Sequence, residues 1–166
     1  FFFPSCSHPV EEAQKQLEEE GDEETVLFLV HLGVHARASG FLLEQVACNE
    51  MTFSSPDMRG LLAVQQPICS NSPFQNELSC GANLQSLAEK LLQEGFPVEV
   101  SSDAGRFICN YIYYQSLSMC QNMDAPAPVY SLFVHVPAEA TVPLESQERF
   151  VLALLHHLHS VECEKK

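Results

Sequence analysis

Three residues have the types and settings that thiol chemistry needs. Cys109 follows a predicted strand and lies near the start of a predicted helix, in SSDAGRFICNYIYYQSL (101–117), and helix N-termini stabilise a thiolate. His135 ends the apolar stretch SLFVHV, where it could take up the thiol proton and later deliver it to a leaving amine. Glu44, in FLLEQVA, could orient that imidazole. Together they are compatible with a thiol enzyme.

Each of these residues also has a structural interpretation. A cysteine on a helix is commonly a buried small hydrophobe, and a histidine at a strand end is commonly structural. A glutamate in an apolar run is commonly exposed at an edge or paired locally. Because a nucleophile and its base meet in space rather than in sequence, spacing alone does not establish a triad.

Other patterns carry weaker signals. HHLH (156–159) offers an i, i+3 histidine pair, but no second ligand cluster accompanies it, so an outward helix face is favoured over a metal site. HLGVH (31–35) has one glycine and no phosphate-cradling pattern, and the sequence contains no GxGxxG, GxxxxGK[ST] or GxSxG. The aromatic residues near Cys109 are predicted to be helix core: Phe107, Tyr111, Tyr113 and Tyr114.

Four apolar or alternating stretches predict strands. TVLFLVHLGV, from Thr25, is typical of a buried parallel strand and is expected to end at Gly33. The others are GFLLEQVACN from Gly40, PVEVSS after Phe96, and VYSLFVHVP, which Pro137 closes. Residues 49–81 show no sustained period and predict a long loop region.

Three stretches predict helices. NLQSLAEKLLQEGF has Gly95 as its C-cap, and a second helix is expected from Ala104 to about Met119, capped by Asp103 or Ser102. The third is LESQERFVLALLHHLHSV. The side chains expected to face inward are Leu84, Leu87, Ala88, Leu91 and Leu92 in the first helix, and Leu144, Val151, Leu154, Leu155, Leu158 and Val161 in the third. The alternation of helices and strands predicts one α/β/α domain with a central, mostly parallel sheet.

Composition limits the partners and the compartment. The 166 residues carry 22 acidic and 8 basic side chains, a net charge of −14, which argues against nucleic-acid and anionic-membrane surfaces. Much of that charge lies in EEAQKQLEEEGDEE, so residues 1–24 are expected to form a flexible acidic arm beside a domain over 25–166. Seven cysteines without a CxxC pair predict a reducing, cytoplasmic location. The oligomeric state stays open, with a monomer as the simpler expectation.

The segments around the three reactive residues resemble the pyroglutamyl-peptidase I family, the pyrrolidone-carboxylate cysteine peptidases. SSDAGRFICNYIYYQSL is similar to the family's nucleophile segment, LFVHVP to its histidine strand, and LVHLGVHARASGFLLEQVACN to its glycine turn and glutamate segment. The similarity extends over roughly residues 25 to 160, and we expect it to be strong with the vertebrate pyroglutamyl-peptidase-1-like branch.

The resemblance implies a function and a role for each residue. It implies a Cys–His–Glu triad of Cys109, His135 and Glu44 that removes an N-terminal pyroglutamate from peptides, in an α/β/α domain without metal or organic cofactor. The family's opening strand and its Gly-Phe-Gly-Pro-Phe-like turn have no counterpart here, since FFFPSC lacks glycines. That departure favours, as an alternative, a catalytically impaired relative that acts as a binding or interaction protein. Arg59 and Asn49 are weaker candidates for substrate contact.

Overall fold

The computed structural model describes residues 26–56, 58–60, 62–125, 127–161 and 163. The predicted acidic arm over residues 1–24 and the FFFPSC segment lie outside the described residues.

The described chain contains six strands and three helices. The elements are, in order, β1 (Leu27–His35), β2 (Phe41–Glu44), β3 (Val46–Cys48), β4 (Glu77–Ser79), α1 (Leu84–Gln93), β5 (Val98–Ser101), α2 (Ile108–Asn122), β6 (Val129–Pro137) and α3 (Leu144–Leu158).

Four strands form the central sheet in the order β1-β6-β2-β5. β6 runs parallel to β1, and β2 runs parallel to β5. The β6–β2 pair between them is antiparallel. β3 and β4 form a separate antiparallel ribbon. Two of the three neighbouring pairs are parallel, so the prediction of a mostly parallel sheet is confirmed.

The helices cover both faces of the sheet. On α3, Phe150 stacks on Phe41 of β2, whereas Glu44 points to the other face because side chains alternate along a strand. Cys109 of α2 approaches that second face at Gly33 of β1. α1 packs with α3 and β5. The predicted α/β/α class is therefore confirmed.

The two strands expected to be buried differ in their surroundings. All nine residues of β6 are buried, as its apolar sequence predicts. β1 extends to His35, two residues beyond the predicted end, and it is outermost among the described strands. Leu32 is 51% and Val34 67% exposed, so β1 is not the buried strand that was expected. Of the two edges of β1, the described strands cover only one, through its pairing with β6.

Two predicted boundaries are wrong for identifiable reasons. GFLLEQVACN forms two strands that break at Gln45, because β2 joins the central sheet and β3 pairs with β4. α2 begins at Ile108 after an N-cap at Phe107, not at Ala104. The expected cap, Asp103, instead accepts hydrogen bonds from the Gly105 amide and from Arg106, in a turn that Gly105 closes at φ +77°.

The helix patterns are confirmed in outline. α1 buries Leu84, Leu87, Ala88 and Leu91, and Gly95 adopts the left-handed conformation expected after a helix end. Leu92 is exposed, contrary to expectation. α3 buries the narrower set Phe150, Leu154 and Leu158, and leaves Leu144 and Leu155 exposed. Val151 and Val161, which were also expected to face inward, are partly buried against the core.

Candidate active site

Adjacent antiparallel strands bring His135 and Glu44 together. Leu42 is the register partner of His135, and Glu44 lies two residues further along β2 on the same face. His135 Nδ1 donates a hydrogen bond to Glu44 Oε1 at 2.7 Å. Glu44 is 0% and His135 4% exposed, so the pair is shielded from bulk water. A buried carboxylate needs such a partner.

A tyrosine holds the Glu44 backbone in place. The Tyr113 hydroxyl donates to the Glu44 carbonyl oxygen at 2.7 Å. Burial raises the pKa of Tyr113 far above its usual range, so the hydroxyl remains a neutral donor. Tyr113 and Tyr114 are both core residues of α2, as the sequence predicts.

Cys109 reaches the same face of the sheet through a close approach at Gly33. Gly33 is the register partner of His135 on β1. A Cβ atom at Gly33 would lie 3.2 Å from Cys109 Sγ and 2.7 Å from the Phe133 ring. Any larger residue at this position would displace the thiol or the ring. The glycine therefore lets the start of α2 lie close to β1 and to the neighbouring strand β6, which carries His135.

The protonation of His135 depends on both of its partners. Burial by itself lowers the pKa of His135, but hydrogen bonds with Cys109 and Glu44 and the negative charges of both raise it to about 9. Since Nδ1 bonds to Glu44, Nε2 is the nitrogen left for the thiol. The arrangement can stabilise a thiolate beside an imidazolium.

Asn110 anchors the helix start, and residue patterns did not single it out. Its side chain is fully buried, donates to the carbonyl oxygens of Cys48 and Glu50 at 2.9 Å each, and accepts from the Cys48 amide at 2.8 Å. These three bonds tie the residue after Cys109 to β3 and the loop beyond it. The available signal was an amide in an otherwise apolar helix turn, since buried amides need partners.

Asn49 holds a loop rather than offering itself to a substrate. Its fully buried amide donates to the carbonyl oxygens of Cys69, Ser72 and Pro73 and accepts from the Cys69 amide. The hypothesis that Asn49 contacts substrate is therefore not supported by its surroundings. Arg59, the other candidate, is exposed in the loop region after Phe53.

A second polar cluster fixes the turn before α2. Glu50 accepts hydrogen bonds from Gln75 at 3.0 Å and Thr52 at 3.1 Å, and Arg106 Nε lies 3.5 Å from its Oε2. The hydrogen bond from Gln75, with smaller effects of Thr52 and Arg106, lowers the pKa of Glu50 despite its burial. The Thr52 amide also donates to the Arg106 carbonyl oxygen at 2.7 Å. The loop after β3 and the turn before α2 therefore form one unit.

Apolar side chains lie beside the start of α2. The Phe53 ring packs edge-on against Phe107, with ring centroids 5.3 Å apart, and more distantly against Tyr111. Phe107 and Ile108 are each partly exposed, so the prediction that Phe107 is core is wrong. An exposed apolar surface therefore adjoins Cys109.

The histidines of α3 do not form a metal site. His157 Nε2 bonds to Oε1 of Glu94, the C-cap of α1, at 2.5 Å, and His159 bonds to the His156 carbonyl oxygen. Within the described ranges, no group of three histidine, cysteine or acidic side chains could hold a metal ion. None of the helices in that part of the chain is both long and apolar enough to cross a bilayer.

Solved structures with the same fold are pyrrolidone carboxyl peptidases. One from Fervidobacterium islandicum AW-1 superposes with a TM-score of 0.72 at 28% identity, over 89% of this chain and 76% of that chain. One from Thermus thermophilus gives a TM-score of 0.67 at 29% identity with the same coverage.

Curated relatives point to the same group. A pyrrolidone-carboxylate peptidase from Pyrococcus furiosus is 28% identical over 125 residues, which are 75% of this chain and 58% of that protein. One from Halalkalibacterium halodurans is 31% identical over 69% of this chain and 54% of its own length. The human pyroglutamyl-peptidase 1-like protein is 29% identical over 66% of this chain and 50% of its own length.

The matches identify the family and show how much of the relatives' length this chain covers. The chain spans about half of the length of the curated relatives that it matches. The sequence model of the pyroglutamyl peptidase family matches residues 4–157, which is most of the chain. On that match, this chain belongs to the pyroglutamyl peptidase family.

Proposed function

We propose that this protein is a cysteine omega-peptidase that hydrolyses the bond after an N-terminal pyroglutamyl residue. Cys109 is the nucleophile, His135 the general base and acid, and Glu44 the group that orients His135. One observation carries the proposal: His135 is bonded through Nδ1 to a fully buried Glu44 and interacts with Cys109 as well. Family membership supplies the substrate class, an N-terminal pyroglutamyl peptide.

The acylation step follows from this geometry. The Cys109 thiol gives its proton to His135 Nε2, and the resulting thiolate attacks the pyroglutamyl carbonyl carbon. The negative charge on the former carbonyl oxygen develops beside the start of α2, where no side chain of the described residues caps the helix. Its backbone N–H groups and the helix dipole favour that charge. Breaking of the C–N bond, with proton donation from His135 to the amine, leaves a thioester on Cys109.

Hydrolysis of the thioester completes the cycle. His135 takes a proton from a water molecule, which attacks the thioester carbonyl carbon. The C–S bond breaks, pyroglutamate leaves, and the proton held by His135 returns to the Cys109 sulfur. Glu44 orients His135 and stabilises the imidazolium in both halves of the cycle.

The direct test is release of aminomethylcoumarin from pyroglutamyl-aminomethylcoumarin in reducing buffer. The full chain, Cys109→Ser and Cys69→Ser are compared after each has shown a cooperative unfolding transition. Cys69 is a matched control because it is also a half-buried free cysteine. We expect release by the full chain and Cys69→Ser, and none by Cys109→Ser. Release that survives in Cys109→Ser would contradict the assignment of the nucleophile.

A second candidate function is binding without turnover. It is the alternative that the sequence leaves open, because no Gly-Phe-Gly-Pro-Phe-like turn occurs in the 166 residues. A folded chain that releases no coumarin but binds a pyroglutamyl aldehyde would support this alternative. Loss of that binding in Cys109→Ser would place the ligand at the same thiol.

A further inference from the structure

A second imidazole contacts His135. His35 is the last residue of β1 and lies two positions after Gly33, so its side chain is on the same sheet face as Gly33 and His135. The His35 and His135 ring centroids are 5.3 Å apart, and the ring planes meet at 76°. This is the edge-to-face geometry that aromatic pairs favour.

The two histidines differ in exposure. His35 is exposed, whereas His135 is only 4% exposed. The inner contacts of His135 are Glu44 at Nδ1, the Cys109 thiol, and the Phe133 ring at a centroid distance of 5.0 Å. An exposed ring packed on a buried one lies between it and solvent. His35 therefore covers the outer side of His135.

We propose that His35 is a positioning residue for the Cys109–His135 pair, and that its ring holds the His135 imidazole against the thiol and keeps water away from it. The contribution of His35 to catalysis rests on the proposed function. Its physical content, the alignment of His135 with Cys109, is measurable without turnover.

The proposed effect comes from packing of the ring. Edge-to-face pairs change the population of an aligned state by roughly twofold to tenfold. Replacement of His35 by alanine removes the ring, so His135 can move away from Cys109 and water can compete for both. Replacement by phenylalanine keeps a flat ring of similar size without its nitrogens. Comparison of the two variants therefore separates packing from hydrogen bonding or titration by His35.

The test is the rate of Cys109 alkylation by iodoacetamide between pH 6 and pH 9, followed by peptide mass spectrometry on the full chain. We expect His35→Ala to slow Cys109 at pH 7 by roughly twofold to tenfold and to change its pH profile. We expect His35→Phe to match the wild type. Val34→Ala is the matched control, because Val34 is exposed on the same strand but faces the opposite side of the sheet.

The outcomes separate this inference from the proposed function. An unchanged rate in His35→Ala, or a His35→Phe as slow as His35→Ala, would overturn the positioning role. Rapid alkylation of wild-type Cys109 without coumarin release, with the expected order of variants, would support the positioning role while the peptidase proposal fails. A wild-type Cys109 that reacts no faster than Cys69 would overturn both. If turnover is present, His35→Ala should lower kcat and leave KM nearly unchanged.

Discussion

At the residue scale, the charge of Glu44 is what a single substitution can test most cleanly. In Glu44→Gln the amide oxygen can still accept the bond from His135 Nδ1, but the negative charge is lost. The other carboxylate oxygen has no hydrogen-bond partner among the described residues, so the amide breaks no further bond there. Because the charge of Glu44 helps to raise the pKa of His135, that pKa should fall in the variant.

We expect Glu44→Gln to slow Cys109 alkylation and coumarin release by about tenfold or more, the usual effect of weakening a hydrogen bond to a charged group. NMR titration of the His135 imidazole should show the lower pKa directly. Glu94→Gln is the control, since Glu94 pairs with His157 on an exposed surface between α1 and α3. A His135 titration that is identical in Glu44→Gln and the wild type would refute the electrostatic role.

At the element scale, the Asn110 side chain ties the start of α2 to the β3 region. Asn110→Ala removes the side-chain partner of the Cys48 amide and of the Glu50 carbonyl oxygen, whereas the Cys48 carbonyl oxygen still accepts from the Glu50 amide at 2.7 Å. We expect a loss of roughly 2–4 kcal/mol in the free energy of unfolding, measured by urea titration, since each unmet buried group costs about 1–3 kcal/mol. Asn122→Ala near the end of the same helix is the control, because its bond to the Ser118 carbonyl oxygen is exposed. Equal losses in the two variants would contradict the anchoring role.

The close approach of α2 to β1 gives a second prediction at this scale. The Gly33→Ala side chain would overlap the Phe133 ring and crowd Cys109 Sγ. We expect the variant to fold but to move the thiol out of reach of His135, with at least a tenfold loss of Cys109 alkylation rate, typical of a displaced reacting group. Unfolding by urea checks the fold, and wild-type reactivity in a folded Gly33→Ala would show that the contact relaxes without consequence.

Local sequence patterns predicted some elements well and others poorly, for a physical reason. The continuous apolar run of β6 and the leucine spacing of α1 report burial directly, and both elements were predicted, although Leu92 of α1 is exposed. The break at Gln45 depends on pairing with β4, which is more than 30 residues away, and no local pattern reports it. Likewise, the residue types of His135 and Glu44 suggested a pair, but their 2.7 Å contact spans 91 residues and depends on β6 lying beside β2. Family resemblance supplied that connection, whereas the contact of His35 with His135 was found only in the structure.

At the scale of the whole molecule, three ionisable groups with shifted pKa values limit the pH range of stability from opposite sides. Burial lowers the pKa of His31, which is hydrogen-bonded to Ser116, so the unfolded chain takes up more protons as the pH falls below 6.5 and stability decreases. Glu50 adds to this loss below pH 4.5, because its folded pKa is lowered. The pKa of His135 is raised to about 9, so the folded chain holds the extra proton and stability decreases as the pH rises from 6.5 to about 9.

These opposite slopes predict a maximum in the free energy of unfolding near pH 6.5, the ordinary histidine pKa from which the two residues depart in opposite directions. Each group contributes a slope of at most about 1.4 kcal/mol per pH unit. Urea unfolding at pH 5, 6.5 and 8.5 measures the free energy of unfolding on both sides of this maximum. Two variants then assign each slope to a residue. His31→Gln should reduce the loss between pH 6.5 and 5 and leave the alkaline side unchanged. Glu44→Gln should reduce the loss between pH 6.5 and 8.5 and leave the acid side unchanged.

Two outcomes would contradict this assignment. A variant that flattens the slope on the opposite side of the maximum would show that the proton is taken up or released by another group. Stability that rises between pH 6.5 and 8.5 in the wild type would contradict the raised pKa of His135 itself.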